Sequence, residues 1–132
     1  MPTDTSPPYK RFSAERMPAE HHTQLELLDT LVGSIKAGKQ DTNTIKQLDR
    51  LVSYTGLHFL SEQLLMQDQG YTAYGEHAED HQRILEFLRD LQTGHHERGH
   101  RLNEEDAEMI RSNIIKHISH HDQKLHSSLG QD

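Results

Sequence analysis

Apolar residues recur along this chain at helical spacing, in four stretches separated by glycine-containing breaks. The first stripe runs His22, Leu25, Leu28, Val32 and Ile35. Its helix is expected to begin near Pro18, which suits a first-turn position, and to end before Gly38. The second stripe, Leu48, Leu51, Thr55, His58, Glu62, Leu65 and Met66, follows the cap candidates Asp41 and Thr42 and stops at Gly70. The third, His77, His81, Ile84, Leu88 and Leu91, predicts a helix from Ala73 to Gln92, ended by Gly94. The fourth carries Ile110, Ile114, His117, Ile118 and Leu125, with Asn103 as its N-cap and the acidic Asp106 three residues later. Strand patterns and glycine-rich phosphate loops are absent from the sequence. Four long helices joined by short loops predict an all-α fold, an up-down-up-down antiparallel four-helix bundle over residues 13–132. Residues 1–12 read as an irregular, Pro-containing arm.

Apart from Thr55, each stripe is apolar except where it carries a residue able to ligate metal. His58 and Glu62 lie four residues apart, as do His77 and His81, so each pair shares one helix face with its Cβ atoms about 5–6 Å apart. With His22, His117 and Asp122 they make seven donors on four helices, all expected to point inward. Five imidazoles and two carboxylates are too many for one ion and suit two. Buried carboxylates cost several kcal/mol each when unpaired, and a metal cluster offsets that cost.

Two positions are ambiguous from spacing. His21 and His22 are adjacent, so only one can face inward; His22 shares its stripe with Leu25, Leu28 and Val32 and is the choice here. His121 stands four residues after His117, whereas Asp122, five residues on, lies about 140° round a regular helix. Spacing leaves those two open. His95, His96 and His100 fall in a polar segment between the third and fourth helices, and His126 near the tail, where solvation is the ordinary outcome.

Composition narrows the chemistry. The 132 residues are only 32% hydrophobic and carry a formal charge of −7, without a phosphate-neutralising basic patch, so a nucleic-acid partner is not expected. There is no cysteine, which removes disulfides, thiolate zinc sites and iron–sulfur clusters and leaves N/O ligation of the kind iron, manganese, zinc or copper accepts. No stretch is apolar for long enough to span a membrane or form a signal peptide, so a cytoplasmic location is expected. An acidic surface with no large exposed apolar run leads to the expectation of a monomer.

The ordered set His22 with Leu25, His58-Phe59-x-x-Glu62 with Met66, Gly70-Tyr71, His77-x-x-x-His81 and His117-Ile118-x-x-x-Asp122 resembles the hemerythrin family in its single-domain bacterial form. The likeness spans about residues 17–126. It implies a non-heme centre of two iron ions, bridged by Glu62, Asp122 and an oxo or hydroxo group. His77, His81 and His117 would complete one iron; His22 and His58 would hold the other, which keeps a position for dioxygen. The resemblance also decides for Asp122 over His121. Phe59, Ile114 and Ile118 flank the ligands and are expected to line the dioxygen pocket together with Asn113. Asn113 stands where many members carry Trp, and Gln63 where many carry Glu. Asn113 is expected to make the pocket more polar, and Gln63 to point away from the metals with little effect.

The function so implied is reversible dioxygen binding for storage, delivery or sensing, without turnover, serving an oxygen-consuming enzyme or maintained by a reductase. The alternative is a di-iron redox enzyme acting on peroxide or nitric oxide. Ligand balance separates them: di-iron oxidases use mostly carboxylates with Glu-x-x-His motifs, and this set is histidine-rich. A bundle with incidental histidines would instead fold without metal and ignore chelators.

Overall fold

The computed structural model describes residues 8–39, 42–99 and 101–129. These form α1 (Pro8–Lys36), α2 (Thr42–Gln69), α3 (Tyr74–Arg98) and α4 (Glu104–His117). The last continues without a break through a π-helical turn, Ile118–Asp122, into α5 (Gln123–Leu129). No strand occurs among the described residues. Cross-helix contacts run in opposite directions along every neighbouring pair. Glu20 and Gln24 of α1 meet His58 and Thr55 of α2; Glu62 and Gln67 of α2 meet His81 and Tyr74 of α3. Asp80 and Arg83 of α3 meet His117 and Asn113 of α4. Arg111 of α4 reaches Asp29 of α1, and Asp122 reaches His21. Four antiparallel contacts closing a ring are the up-down-up-down bundle that the stripes predict.

The bounds of α2 are those expected, and α4 opens as expected. Asn103 Oδ1 accepts the Asp106 backbone N–H at 2.8 Å, and Asp106 Oδ2 accepts the Asn103 N–H at 2.9 Å. This reciprocal box satisfies two donors that the first turn would otherwise leave open. Asn103→Ala should therefore lower stability by about 1 kcal/mol and the melting temperature by about 3–5 °C, whereas Asn103→Asp should stay near the parent; thermal unfolding of the metal-free chain measures both.

Two bounds differ from expectation. α1 starts at Pro8 rather than near Pro18, so Pro8–Phe12 of the expected arm is helical, and residues 1–7 lie outside the described residues. The first-turn place that suits a proline is taken by Pro8. α1 then runs through Pro18, which has no N–H to give the carbonyl a turn earlier. α3 does not stop at Gly94 but at Gly99, whose φ of 64° is the left-handed conformation that ends helices. Gly94 sits buried inside the helix, a placement that costs about 1 kcal/mol relative to alanine and does not break it. His95 and His96 are consequently helical, not in a loop.

The core is split in two. The larger part joins Leu28, Leu31, Val32 and Ile35 to Leu48, Leu51 and Phe59, and to Ile84, Leu88, Ile110 and Ile114. The smaller joins Leu65, Met66 and Leu125 under Tyr71 and Tyr74. Each fully buried leucine or isoleucine contributes about 1.5–3 kcal/mol by leaving water. Between these two apolar layers the bundle buries Glu20, His58, Glu62, His77, His81, His117 and Asp122. The surface carries more exposed leucine than expected: Leu57, Leu60 and Leu64 line one outer face of α2. Among the described residues no helix is long and apolar enough to cross a membrane.

Candidate metal centre

α2 supplies His58 and Glu62 from one face, one turn apart, and α3 supplies His77 and His81 in the same way. α4 ends on His117, and the π-helical turn brings in Asp122. A π turn closes hydrogen bonds five residues apart, so its wider circuit absorbs the residue that would put Asp122 out of line. Asp122 Oδ1 lies 2.9 Å from His117 Nε2. His121, the neighbour that spacing left open, is instead half-buried, 3.8 Å from Asp80.

One predicted donor is corrected. His22 points into solvent, 74% exposed, and pairs with Glu26 at 2.6 Å on its own helix. His21 takes the inward place, with Nε2 2.9 Å from Asp122 Oδ2 and 3.9 Å from Glu62 Oε2. The buried face of α1 runs Glu20, Gln24, Leu28, Leu31 and Ile35. His21 falls on that heptad line at 21, 24, 28, 31 and 35; polar Gln24 interrupts it and made Leu25 look like the continuation.

The two carboxylates divide their oxygens between two histidine groups. Glu62 Oε1 lies 3.0 Å from His81 Nε2, 3.5 Å from His77 Nε2 and 3.9 Å from His117 Nε2. Its other oxygen lies 3.4 Å from His58 Nε2. Asp122 Oδ1 lies 3.0 Å from His77 Nε2, while Oδ2 faces His21. The donors thus sort into Glu62, His77, His81, His117 and Asp122, and into His21, His58, Glu62 and Asp122, with the ligand atoms of each set within 4.8 Å of one another.

Several of these atoms do not satisfy one another. Glu62 Oε2, Asp122 Oδ2, His21 Nε2 and His58 Nε2 are buried with no hydrogen-bond partner, although they sit close together. Buried lone pairs converging without aligned donors fit cations held among them.

The outer ring nitrogens are tied down. His58 Nδ1 lies 2.8 Å from a carboxylate oxygen of Glu20, itself buried, and His117 Nδ1 lies 2.7 Å from Asp80 Oδ2. Arg83 holds Asp80 from the far side at 2.7 Å. His81 Nδ1 lies 2.9 Å from Gln63 Oε1, so Gln63 is not idle as expected but orients a ring. With Nδ1–H donated outward, the Nε2 lone pair is left for the interior. Glu20, Asp80 and Gln63 were missed in the sequence; their signal is adjacency to a ligand or to its helix face.

The proposed pocket residues divide. Phe59 is buried and stacks on the His81 ring at 3.8 Å between centroids. Ile114 is buried, and Ile118 packs half-buried on the core. Asn113 does not reach the interior: its Oδ1 accepts from Arg83 at 2.8 Å and its Nδ2 donates to the Met109 carbonyl. A side chain bonded back to its own helix and to a surface arginine is not available to a pocket.

Without metal the site is strongly polarised. Burial pulls His58 down, but Glu20 and Glu62 outweigh it and hold the ring at about 10. Burial likewise opposes His117, and Asp122, Glu62 and Asp80 hold it at about 10; Asp122 and Glu62 hold His21 at about 8. Burial pushes His81 down to about 4. Burial also disfavours charge on Glu62 and Asp122, yet the surrounding imidazoles keep both well below the usual carboxylate range.

The signs give a paired prediction. Raised imidazoles stabilise the metal-free fold fully below the ordinary histidine value of 6.5, and that stability is lost as pH rises through about 8 and about 10. The metal-free chain should therefore melt at progressively lower temperature from pH 6.5 to 10. Metal must displace protons from these rings, so its affinity should rise over the same range. At pH 7 loading should release about three protons, from His21, His58 and His117; calorimetry in buffers of different ionisation enthalpy counts them.

The chain is 28% identical over 99 residues to a protein named Bacteriohemerythrin from Methylococcus capsulatus, an alignment that covers 75% of each. No family model and no solved structure matches. An antiparallel four-helix bundle, a buried histidine and carboxylate cluster across all four rods, and likeness to a Bacteriohemerythrin over three quarters of the chain all support the resemblance to the hemerythrin family.

Proposed function

We propose that the chain binds dioxygen reversibly at a pair of iron ions held by His21, His58, Glu62, His77, His81, His117 and Asp122. The observation that carries this reading is the division of each carboxylate: Glu62 turns one oxygen toward His77, His81 and His117 and the other toward His21 and His58, and Asp122 turns one toward His77 and His117 and the other toward His21. Such a carboxylate suits two ions side by side. Ferrous iron held by these residues would supply the two electrons needed to bind dioxygen and would recover them on its release.

The residues themselves account for the rest. One donor set has five members and the other four, so the His21–His58 side is the one with fewer protein ligands and the place for a gas molecule. Phe59 and Ile114, both buried, help keep water from that chamber. Neutral imidazoles predominate over carboxylates, which favours holding a ligand over oxidising a substrate. The partners of this reading are dioxygen and a reductant that restores ferric protein.

The test is anaerobic loading with ferrous iron, exposure to oxygen and then an argon purge. A visible charge-transfer band should appear with oxygen and vanish on purging, over repeated cycles. Irreversible bleaching coupled to consumption of peroxide or nitric oxide would replace this reading with that of a redox enzyme.

A further inference from the structure

Contacts between α1 and α2 form successive rungs. Glu20 meets His58, and Gln24 Nε2 donates to Thr55 Oγ1 at 3.1 Å. Next in register come Leu28 and Leu51, both fully buried. The polar rung therefore lies between the metal cluster and the larger apolar core. Gln24 is one turn beyond His21, and Thr55 one turn before His58. The same step from His81 and His117 reaches Ile84 and Ile114, both buried. One wall of the metal chamber is thus a four-residue layer, Gln24, Thr55, Ile84 and Ile114, half of it apolar and half a hydrogen-bonded pair.

That pair is not self-sufficient. Gln24 is 1% exposed, and its Oε1 has no partner. Whichever way the amide is turned, one end meets Thr55 and the other is left open. A buried amide atom without a partner is unfavourable, and an apolar residue of the same size would avoid the loss. Both polar residues flank His21 and His58, on the side with fewer protein ligands.

We propose that Gln24, with its amide turned so that Oε1 accepts from the Thr55 hydroxyl and Nε2–H is the free end, donates a hydrogen bond to the small ligand taken up beside His21 and His58. The site thereby favours ligands that carry negative charge when bound over apolar ones of equal size. This rests on the oxygen-binding reading above and adds a polar contact to an otherwise apolar chamber.

Azide, a small anion, is the probe, titrated into the iron-loaded, oxidised full chain. Gln24→Met, which keeps the length and removes the amide, should weaken azide about tenfold, the effect of one hydrogen bond to a charged group. Iron per chain should stay at the parent level, and the metal-free melting temperature should not fall. Gln24→Glu, nearly isosteric but anionic, should weaken azide further than Met does. Thr55→Val should weaken azide less, and the Gln24→Met/Thr55→Val double variant should show no more loss than Gln24→Met alone, because Thr55 acts through Gln24.

Azide affinity within twofold of the parent in Gln24→Met would overturn the proposal, and so would loss of iron in that variant, which would assign Gln24 to building the site. A parent chain that takes up iron and azide but not oxygen reversibly removes the functional reading, while the azide series still decides this one. A parent that takes up no iron removes both.

Discussion

Replacing Glu62 by alanine is expected, on the two-iron reading proposed above, to remove both metal ions at once and leave nearly no iron on the chain. Glu62 belongs to both donor sets, with one oxygen 3.0 Å from His81 and the other 3.4 Å from His58. Deleting it takes a charged ligand from each ion and leaves raised imidazoles at His58 and His117 without one of their carboxylates. Breaking a buried pair in this way costs about 3–5 kcal/mol, so the metal-free variant should melt about 10 °C or more below the parent. The loaded protein should lose more, because a bound ion stabilises the folded state according to its excess over Kd. Elemental analysis and thermal unfolding read both effects. Retention of two ions per chain by Glu62→Ala would show that this carboxylate does not bridge.

The second large effect separates two neighbours. His21→Ala should lose the ion on the His21–His58 side, leaving one ion per chain or fewer and no reversible oxygen band. His22→Ala should load, bind oxygen and melt as the parent does. The contrast follows from position: His21 Nε2 lies 2.9 Å from Asp122, and His22 is 74% exposed with only Glu26 beside it. An exposed pair four residues apart contributes at most a few tenths of a kcal/mol. If the two variants exchanged behaviour, α1 would be rotated by about 100° from the arrangement described here.

Much of this site was legible because four of its members come as pairs on single helices. His58 with Glu62 and His77 with His81 need only regular α-helix to share a face, and both pairs face inward. The bounds of α2 and the opening of α4 were equally readable, since Asn103 and Asp106 announce a cap by residue type and spacing. The failures have separate local causes. Greasy residues mark most buried helix faces, but beside the cluster the inner face of α1 carries Glu20 and Gln24, both buried by polar partners on α2. That misdirected the choice toward His22. Gly94 and Gly99 are both credible helix stops, and only the backbone angle distinguishes them. Gln63 was set aside because it neighbours a ligand on the outer side, yet the outer side is where ring nitrogens need acceptors. Asn113 stands where many hemerythrins carry a tryptophan, but its shorter amide finds Arg83 and its own helix first.

The π-helical turn between His117 and Asp122 has a consequence for length variation in the chain. In an unbroken α-helix Asp122 would stand about 140° from His117 and Leu125 about 80°; with one residue absorbed by the wide turn, both fall within about 40°. The rod therefore contains one residue more than its inward register needs. Excising Ser119 should iron the turn into ordinary helix with the aspartate and leucine still facing the interior. A single excision from α2 or α3 would swing every later side chain by about 100° and empty the core. Bundles of this kind should tolerate a lost residue at that turn and at no other point along their rods.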